Sequence, residues 1–324
     1  MRSNCHNTVL KEADRGINME ITFNKVTKKY SKFMALDDVS FNYNGHGAIG
    51  YLGPNGAGKT TTLKVMTNLL RPSEGTAELN GIDVNRHPKK ALQNVGSMIE
   101  TPVPYPFLTV KESLEFVGEL RGVDRKTIHS KIDEFYDGLK LPPLTSKMGQ
   151  LSKGQRQRAV FASVLISDPD IIILDEPTSG LDPFERKIFR DFILELKKTK
   201  LVFLSSHILS EVAETCDDVV FINHGKILKQ GKIGEVSQEF NTNAVSIEFL
   251  RPVDDNIIKN LQSIGNGLVR AEGRTAVIKF SGTEVDRAKI LEDAVKLAPI
   301  ISYTSYGSDL ESAYLSILGE KKSS

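Results

Sequence analysis

Apolar and polar positions follow different rhythms in different parts of this chain. Residues 20–30 (EITFNKVTKKY) and 36–43 (LDDVSFNY) alternate in period two, as half-buried strands do, and Asn44-Gly45 follows as a turn. Residues 47–52 form a short apolar run, and 58–70 (GKTTTLKVMTNLL) read as a helix that stops before Arg71-Pro72. The three prolines of 98–108 (MIETPVPYPFL) exclude regular structure. Thr109 then opens a helix, because TVKE is a capping box and Val110, Leu114 and Val117 share one face. Pro142-Pro143 breaks the helical pattern, and 100–157 are expected to form a mainly helical insert.

Residues 171–174 (IIIL) are apolar on both faces, the pattern of a strand inside a parallel sheet. Asp182-Pro183 starts a helix with Phe189, Ile193 and Leu196 at helical spacing. LVFL (201–204) and DVVFI (218–222) are further strands, and NHGK is a hairpin signal leading into KILKQG. Beyond about residue 240 the order becomes β-α-β-β-α-β: AVSIEFL, a helix near 253–263, GLVRAEG, TAVIKF, a helix near 285–297 and ISYTSY. A last helix, DLESAYLSIL, places Leu310, Ala313, Tyr314, Ile317 and Leu318 on one stripe. The expected division is an extension over 1–18, an α/β domain over 19–238 and a small α+β domain over 239–324.

Composition changes this picture little. Lys and Arg number 42 against 41 Asp and Glu, so no overall basic charge points to nucleic acid. Two cysteines, Cys5 and Cys216, without CxxC spacing exclude a disulfide framework or zinc site and fit a reducing compartment. The longest apolar stretch, FASVLISDPDIIIL, is cut by Asp168, Pro169 and Asp170 and is too short to span a membrane. The first 18 residues lack the apolar core of a signal peptide and are expected to be a disordered extension.

The chemistry begins at Gly53. GPNGAGKT, from Gly53 through Pro54, Asn55, Gly56, Ala57, Gly58 and Lys59 to Thr60, matches the pattern G-x-x-x-x-G-K-[ST] between an apolar strand and a helix. Glycines let successive N–H groups curl around an anion, and the helix start adds its positive end. Lys59 is the candidate for the β- and γ-phosphates, and Thr60 for Mg²⁺. In IIILDEP, Asp175 follows four apolar residues and so stands at the carboxyl edge of the sheet, a second metal ligand. Glu176, next to it, is placed to polarise an attacking water.

LSKGQRQR (151–158), just before a helix and upstream of the LDEP strand, resembles the signature of the ATP-binding cassette (ABC) family. SGLD, ending at Asp182, resembles that family's D-loop, and SSH, ending at His207, its switch-histidine loop. Tyr30 stands where the family places an aromatic ring on adenine. The resemblance covers roughly residues 19–235. It implies a P-loop NTPase core of the ABC ATPase type, a RecA-like sheet with a helical insert, binding ATP and Mg²⁺. It also implies that Ser152, Gly154, Gln155 and Asp182 complete the site of a second, head-to-tail subunit, with Thr61 in the phosphate loop. His207 then assists Glu176 and Lys59 in catalysis.

The chain departs from the family pattern at Glu100, where the family usually has a metal-bound glutamine. A carboxylate still suits Mg²⁺, and this variant resembles the bacitracin- and lantibiotic-type exporters. The small C-terminal domain resembles the tail of bacterial export ATPases of the drug and antibiotic group. The resemblance therefore implies an ATP-hydrolysing export subunit at the cytoplasmic face of the membrane, serving a separate permease that docks on the TPVPYPF segment through Tyr105 and Phe107. The alternative is a soluble ABC ATPase acting in regulation or on nucleic acid or ribosomes. It is disfavoured because the interval before the signature carries no sustained heptads and the chain holds a single set of motifs.

Overall fold

The computed structural model describes residues 19–100, 105–239, 244–264, 269–280 and 284–306, together with Leu310, Tyr314 and Ile317. Backbone contacts divide the chain into two compact units, one up to Gln230 and one from Gly231 onward.

In the first unit, the alternating segments form β1 (Glu20–Tyr30) and β2 (Phe33–Asn44), paired antiparallel. β3 (Gly47–Leu52) leads through the glycine loop into α1 (Lys59–Met66). The helix ends four residues earlier than its sequence pattern predicts. Asn68 adopts a left-handed φ of 55°, and the Thr67 hydroxyl bonds back to the Leu63 carbonyl at 2.9 Å. β4 (Glu74–Leu79), β5 (Ile82–Asp83), α2 (Pro88–Ala91) and β6 (Val95–Met98) follow.

The insert consists of α3 (Val110–Leu120), α4 (Arg125–Gly138) and a 3₁₀ turn at Met148–Gln150. α3 carries the expected capping box: the Thr109 hydroxyl accepts from the Glu112 N–H, and the Glu112 carboxylate accepts from the Thr109 N–H. α5 (Lys153–Leu165) begins inside the signature string and runs past residue 157, the expected end of the insert. β7 (Ile171–Asp175), α6 (Pro183–Leu196), β8 (Leu201–Ser206), α7 (Leu209–Thr215), β9 (Asp218–Asn223) and β10 (Lys226–Lys232) complete the unit. His224 and Gly225, both at positive φ, turn β9 into β10, the backbone a two-residue hairpin needs.

These strands build two sheets, β2-β1-β4-β5 and β10-β9-β3-β8-β7-β6. Within the second, β9, β3, β8, β7 and β6 run parallel. β7 and β8 are buried along their whole length, which explains the apolar runs IIIL and LVFL that precede Asp175 and Ser205. The core lies between the sheets. Phe41 of β2 stacks on Phe23 at 4.6 Å and on Phe203 of β8 at 5.7 Å, and Tyr51 of β3 packs on Phe203 at 5.3 Å. Because β3, β8 and β7 are adjacent and parallel, the loops at their carboxyl ends converge on one edge.

The second unit contains α8 (Ile233–Glu239), β11 (Ala244–Phe249), α9 (Asp255–Ile264), β12 (Val269–Glu272), β13 (Thr275–Lys279), α10 (Glu284–Leu297) and β14 (Ile300–Tyr306). Its sheet, β12-β13-β11-β14, packs Val245, Ile247, Phe249 and Ile278 against Leu261, Ile290 and Ala294 of the helices. Leu310, Tyr314 and Ile317 are helical, while Ala313 and Leu318 lie outside the described residues. Cys216 is buried, and that burial pushes its thiol pKa up, so it is an inert packing residue. Cys5 and residues 1–18 lie outside the described residues.

Candidate functional site

The glycine loop connects β3 to α1, and its last glycine is the N-cap of the helix. Gly58 has φ 111°, and a Cβ there would lie 2.8 Å from the Ala35 carbonyl oxygen. No side chain caps α1, whereas Thr109, Asp124, Ser152 and Asp182 cap α3, α4, α5 and α6. The first N–H groups of α1, at Lys59, Thr60 and Thr61, have no partner within the helix. They give the loop the anion-attracting end that a phosphate requires.

Lys59 is 6% exposed and turns inward. Its ammonium donates to the Gly53 carbonyl at 2.7 Å and the Pro54 carbonyl at 3.3 Å, and stands 3.2 Å from Glu176 Oε1. The Thr60 hydroxyl donates to Asp175 Oδ2 at 2.9 Å, joining α1 to the end of β7. Asp175 is buried, and its other oxygen accepts from the Ser205 hydroxyl on β8 at 2.6 Å. Ser205 Oγ in turn accepts from the Glu176 N–H at 3.0 Å. Glu176 holds a left-handed φ of 46°, a conformation that costs a side-chain-bearing residue roughly 1–2 kcal/mol. This turn aims its carboxylate away from the strand. His207 Nδ1 lies 2.7 Å from Glu176 Oε2, hydrogen-bond distance for an Nδ1–H donating to the carboxylate.

Five of the residues singled out by sequence, Lys59, Thr60, Asp175, Glu176 and His207, thus form one connected cluster. Glu100 joins it by its backbone, whose N–H lies 3.4 Å from Asp175 Oδ2. Its carboxylate is directed at the Lys64 ammonium of α1 instead of Asp175. Ser205 is the member that sequence reasoning passed over. The only signal was its place in the SSH string, where attention went to the histidine.

The remaining candidate residues outside the glycine loop share no described hydrogen bond with this cluster. Ser152 and Gln155 bond each other in a capping box at the start of α5, and Gly154 packs against the Glu185 carboxylate of α6. Asp182 caps α6 by accepting from the Glu185 N–H at 2.9 Å. Each hydrogen bond described for these residues is to α5 or α6, not to the glycine loop. Tyr30 is 46% exposed at the end of β1, with the Lys28 ammonium 5.1 Å from its ring centroid.

Comparison with known proteins agrees with this arrangement. Residues 36–179 match the ABC transporter family. The chain is 39% identical over 203 residues to the ABC transporter ATP-binding protein NatA of Bacillus subtilis, covering 61% of this chain and 82% of NatA. The chain belongs to the ATP-binding proteins of ABC transporters. It is 37% identical over 208 residues to the bacitracin transport ATP-binding protein BcrA of Bacillus licheniformis, covering 63% of this chain and 67% of BcrA. A solved ATP-binding subunit of an ABC transporter superposes with a TM-score of 0.63 at 27% identity, covering 68% of this chain and 92% of that one.

This ABC protein therefore binds ATP and hydrolyses it. The Thr60 hydroxyl and the Asp175 carboxylate form an oxygen pair at the loop's mouth, the donor type Mg²⁺ takes while keeping several waters. The chain's own ligand set fits that ion. Among the described residues no helix is long and apolar enough to cross a membrane.

Proposed function

We propose that this chain powers export of a drug, antibiotic or peptide through a separate membrane permease, by hydrolysing ATP between two head-to-tail copies of the ABC unit. The observation that carries the hydrolytic reading is the Glu176 carboxylate, held by Lys59 on one oxygen and His207 on the other at the edge of the glycine loop. Glu176 takes the proton of the attacking water. Lys59, the N–H groups of Gly56 through Thr61 and His207 face the charge of the transferred phosphoryl group. Thr60 and Asp175 would hold Mg²⁺, which would supply positive charge to the bound phosphates. Tyr30, exposed at the end of β1, offers a ring face for the adenine.

The separation of Ser152, Gly154, Gln155 and Asp182 from this cluster supports their action on a second copy's nucleotide. The start of α5 then presents its N–H groups to that copy's γ-phosphate. Export is supported by the similarity to BcrA, whose name records bacitracin transport, and by Glu100. The aromatic group Tyr105, Phe107 and Phe116, with centroid separations of 5.6 and 5.7 Å, is exposed and is the docking surface for the permease. Residues 101–104 of that segment lie outside the described residues. Such docking places the chain at the cytoplasmic membrane face.

The test is Glu176→Gln. The variant keeps ATP binding, loses turnover by a factor on the order of 10² or more, and elutes as a dimer in gel filtration with ATP. Hydrolysis at the wild-type rate would remove Glu176 from the reaction. Co-purification of the chain with a membrane protein encoded beside it tests the permease, and recovery of the chain alone counts against it.

A further inference from the structure

Asp175 Oδ2 receives both the Thr60 hydroxyl and, at 3.4 Å, the Glu100 N–H. Glu100 sits at φ 59°, a turn that sends its side chain back toward α1. There its Oε1 meets the Lys64 ammonium at 2.5 Å. Lys64 follows Thr60 by four residues, so both project from the same face of α1. The contacts close a ring, Thr60–Asp175–Glu100–Lys64, that ties the phosphate-binding helix to the metal-side carboxylate. The local charges explain its use. Among the described residues this ring and its neighbours hold three carboxylates, Asp175, Glu176 and Glu100, against two lysines. Lys59 is engaged by Glu176, which leaves Lys64 as the counter-charge of Glu100.

We propose that Lys64 is a positioning residue for the nucleotide site: it neutralises Glu100 and holds its carboxylate against α1, so that a glutamate at this position does not oppose the incoming phosphates. A glutamine there would need no such partner, because it carries no charge. The inference rests on the reading of this cluster as the ATP site.

The experiment is calorimetric titration of the purified full-length chain with ATP plus Mg²⁺, and with ATP plus a chelator, for four forms: wild type, Lys64→Met, Lys64→Arg and Lys64→Met combined with Glu100→Gln. Lys64→Met is expected to bind ATP about fivefold more weakly, the scale of losing a partly exposed ion pair, in both titrations. Lys64→Arg keeps the wild-type affinity. The double variant recovers the affinity lost by Lys64→Met, a rescue that a purely structural role of Lys64 in α1 would not allow. Equal affinity of Lys64→Met and wild type, or a double variant as weak as Lys64→Met, overturns the proposal. Circular dichroism and thermal melts of each variant show whether the fold is kept. Failure of the wild-type chain itself to bind ATP would instead sink the underlying site reading.

Discussion

The two oxygens of Asp175 reach different elements, Thr60 on α1 and Ser205 on β8. A buried carboxylate is costly unless its oxygens accept hydrogen bonds, so each donor matters. Ser205→Ala removes the donor to Oδ1 and one of the two acceptors of the Glu176 N–H, leaving the Ser205 carbonyl at 3.2 Å. We expect a loss of about 1–3 kcal/mol in unfolding free energy, read by urea denaturation, and weaker binding of ATP with Mg²⁺ by titration. Unchanged stability and affinity would show that the Thr60 hydroxyl and the Glu100 N–H suffice to hold Asp175. Lys59, Thr60, Asp175 and Glu176 were legible because their chemistry is set by near neighbours in the chain. Ser205 was not, since its partner lies 30 residues away. Nor could sequence show that the Glu100 side chain turns to Lys64, because that depends on a positive φ and on a helix 36 residues upstream.

At the level of elements, α1 starts without a side-chain cap, as α2 and α7 also do, and what sets it apart is the glycine loop that brings its free N–H groups to the edge of the sheet. Gly58→Ala tests the backbone that brings this about. Its Cβ meets the Ala35 carbonyl and the Leu36 side chain at 2.8 and 2.9 Å, and φ 111° is strained for alanine. The expected cost is about 1–3 kcal/mol, seen as a lower melting temperature, with nucleotide binding lost in calorimetry. Caps were readable from sequence because each is decided within four residues, as at Thr109, Ser152 and Asp182. β4 and β6 were not read. EGTAEL and VGSM are short and interrupted by glycine, and they become strands only by pairing with β1 and β7.

At the scale of the whole molecule, the converging ends of β3, β8 and β7 assemble one site, and the starts of α5 and α6 stand apart from it. If two copies exchange these halves, damaged chains should complement each other. Lys59→Ala spoils the loop, and Ser152→Arg spoils the signature. Each variant alone is expected to be inactive. An equimolar mixture is expected to regain part of the phosphate release, because a mixed pair holds one site with both halves intact. A mixture as inactive as its components would argue that one chain supplies the whole pocket.

By itself the sequence determined which residues are candidates for the chemistry, where helices are capped and which strands are buried on both faces. These depend on spacing, on local hydrogen bonds and on the periodicity of apolar side chains, all written within a few residues. Tertiary structure alone decided the strand order β10-β9-β3-β8-β7-β6, the stacking of Phe41 on Phe203, the partnership of Ser205 with Asp175 and that of Lys64 with Glu100. Those contacts join segments tens to more than a hundred residues apart, and they form only once the sheet has brought the strand ends to a common edge.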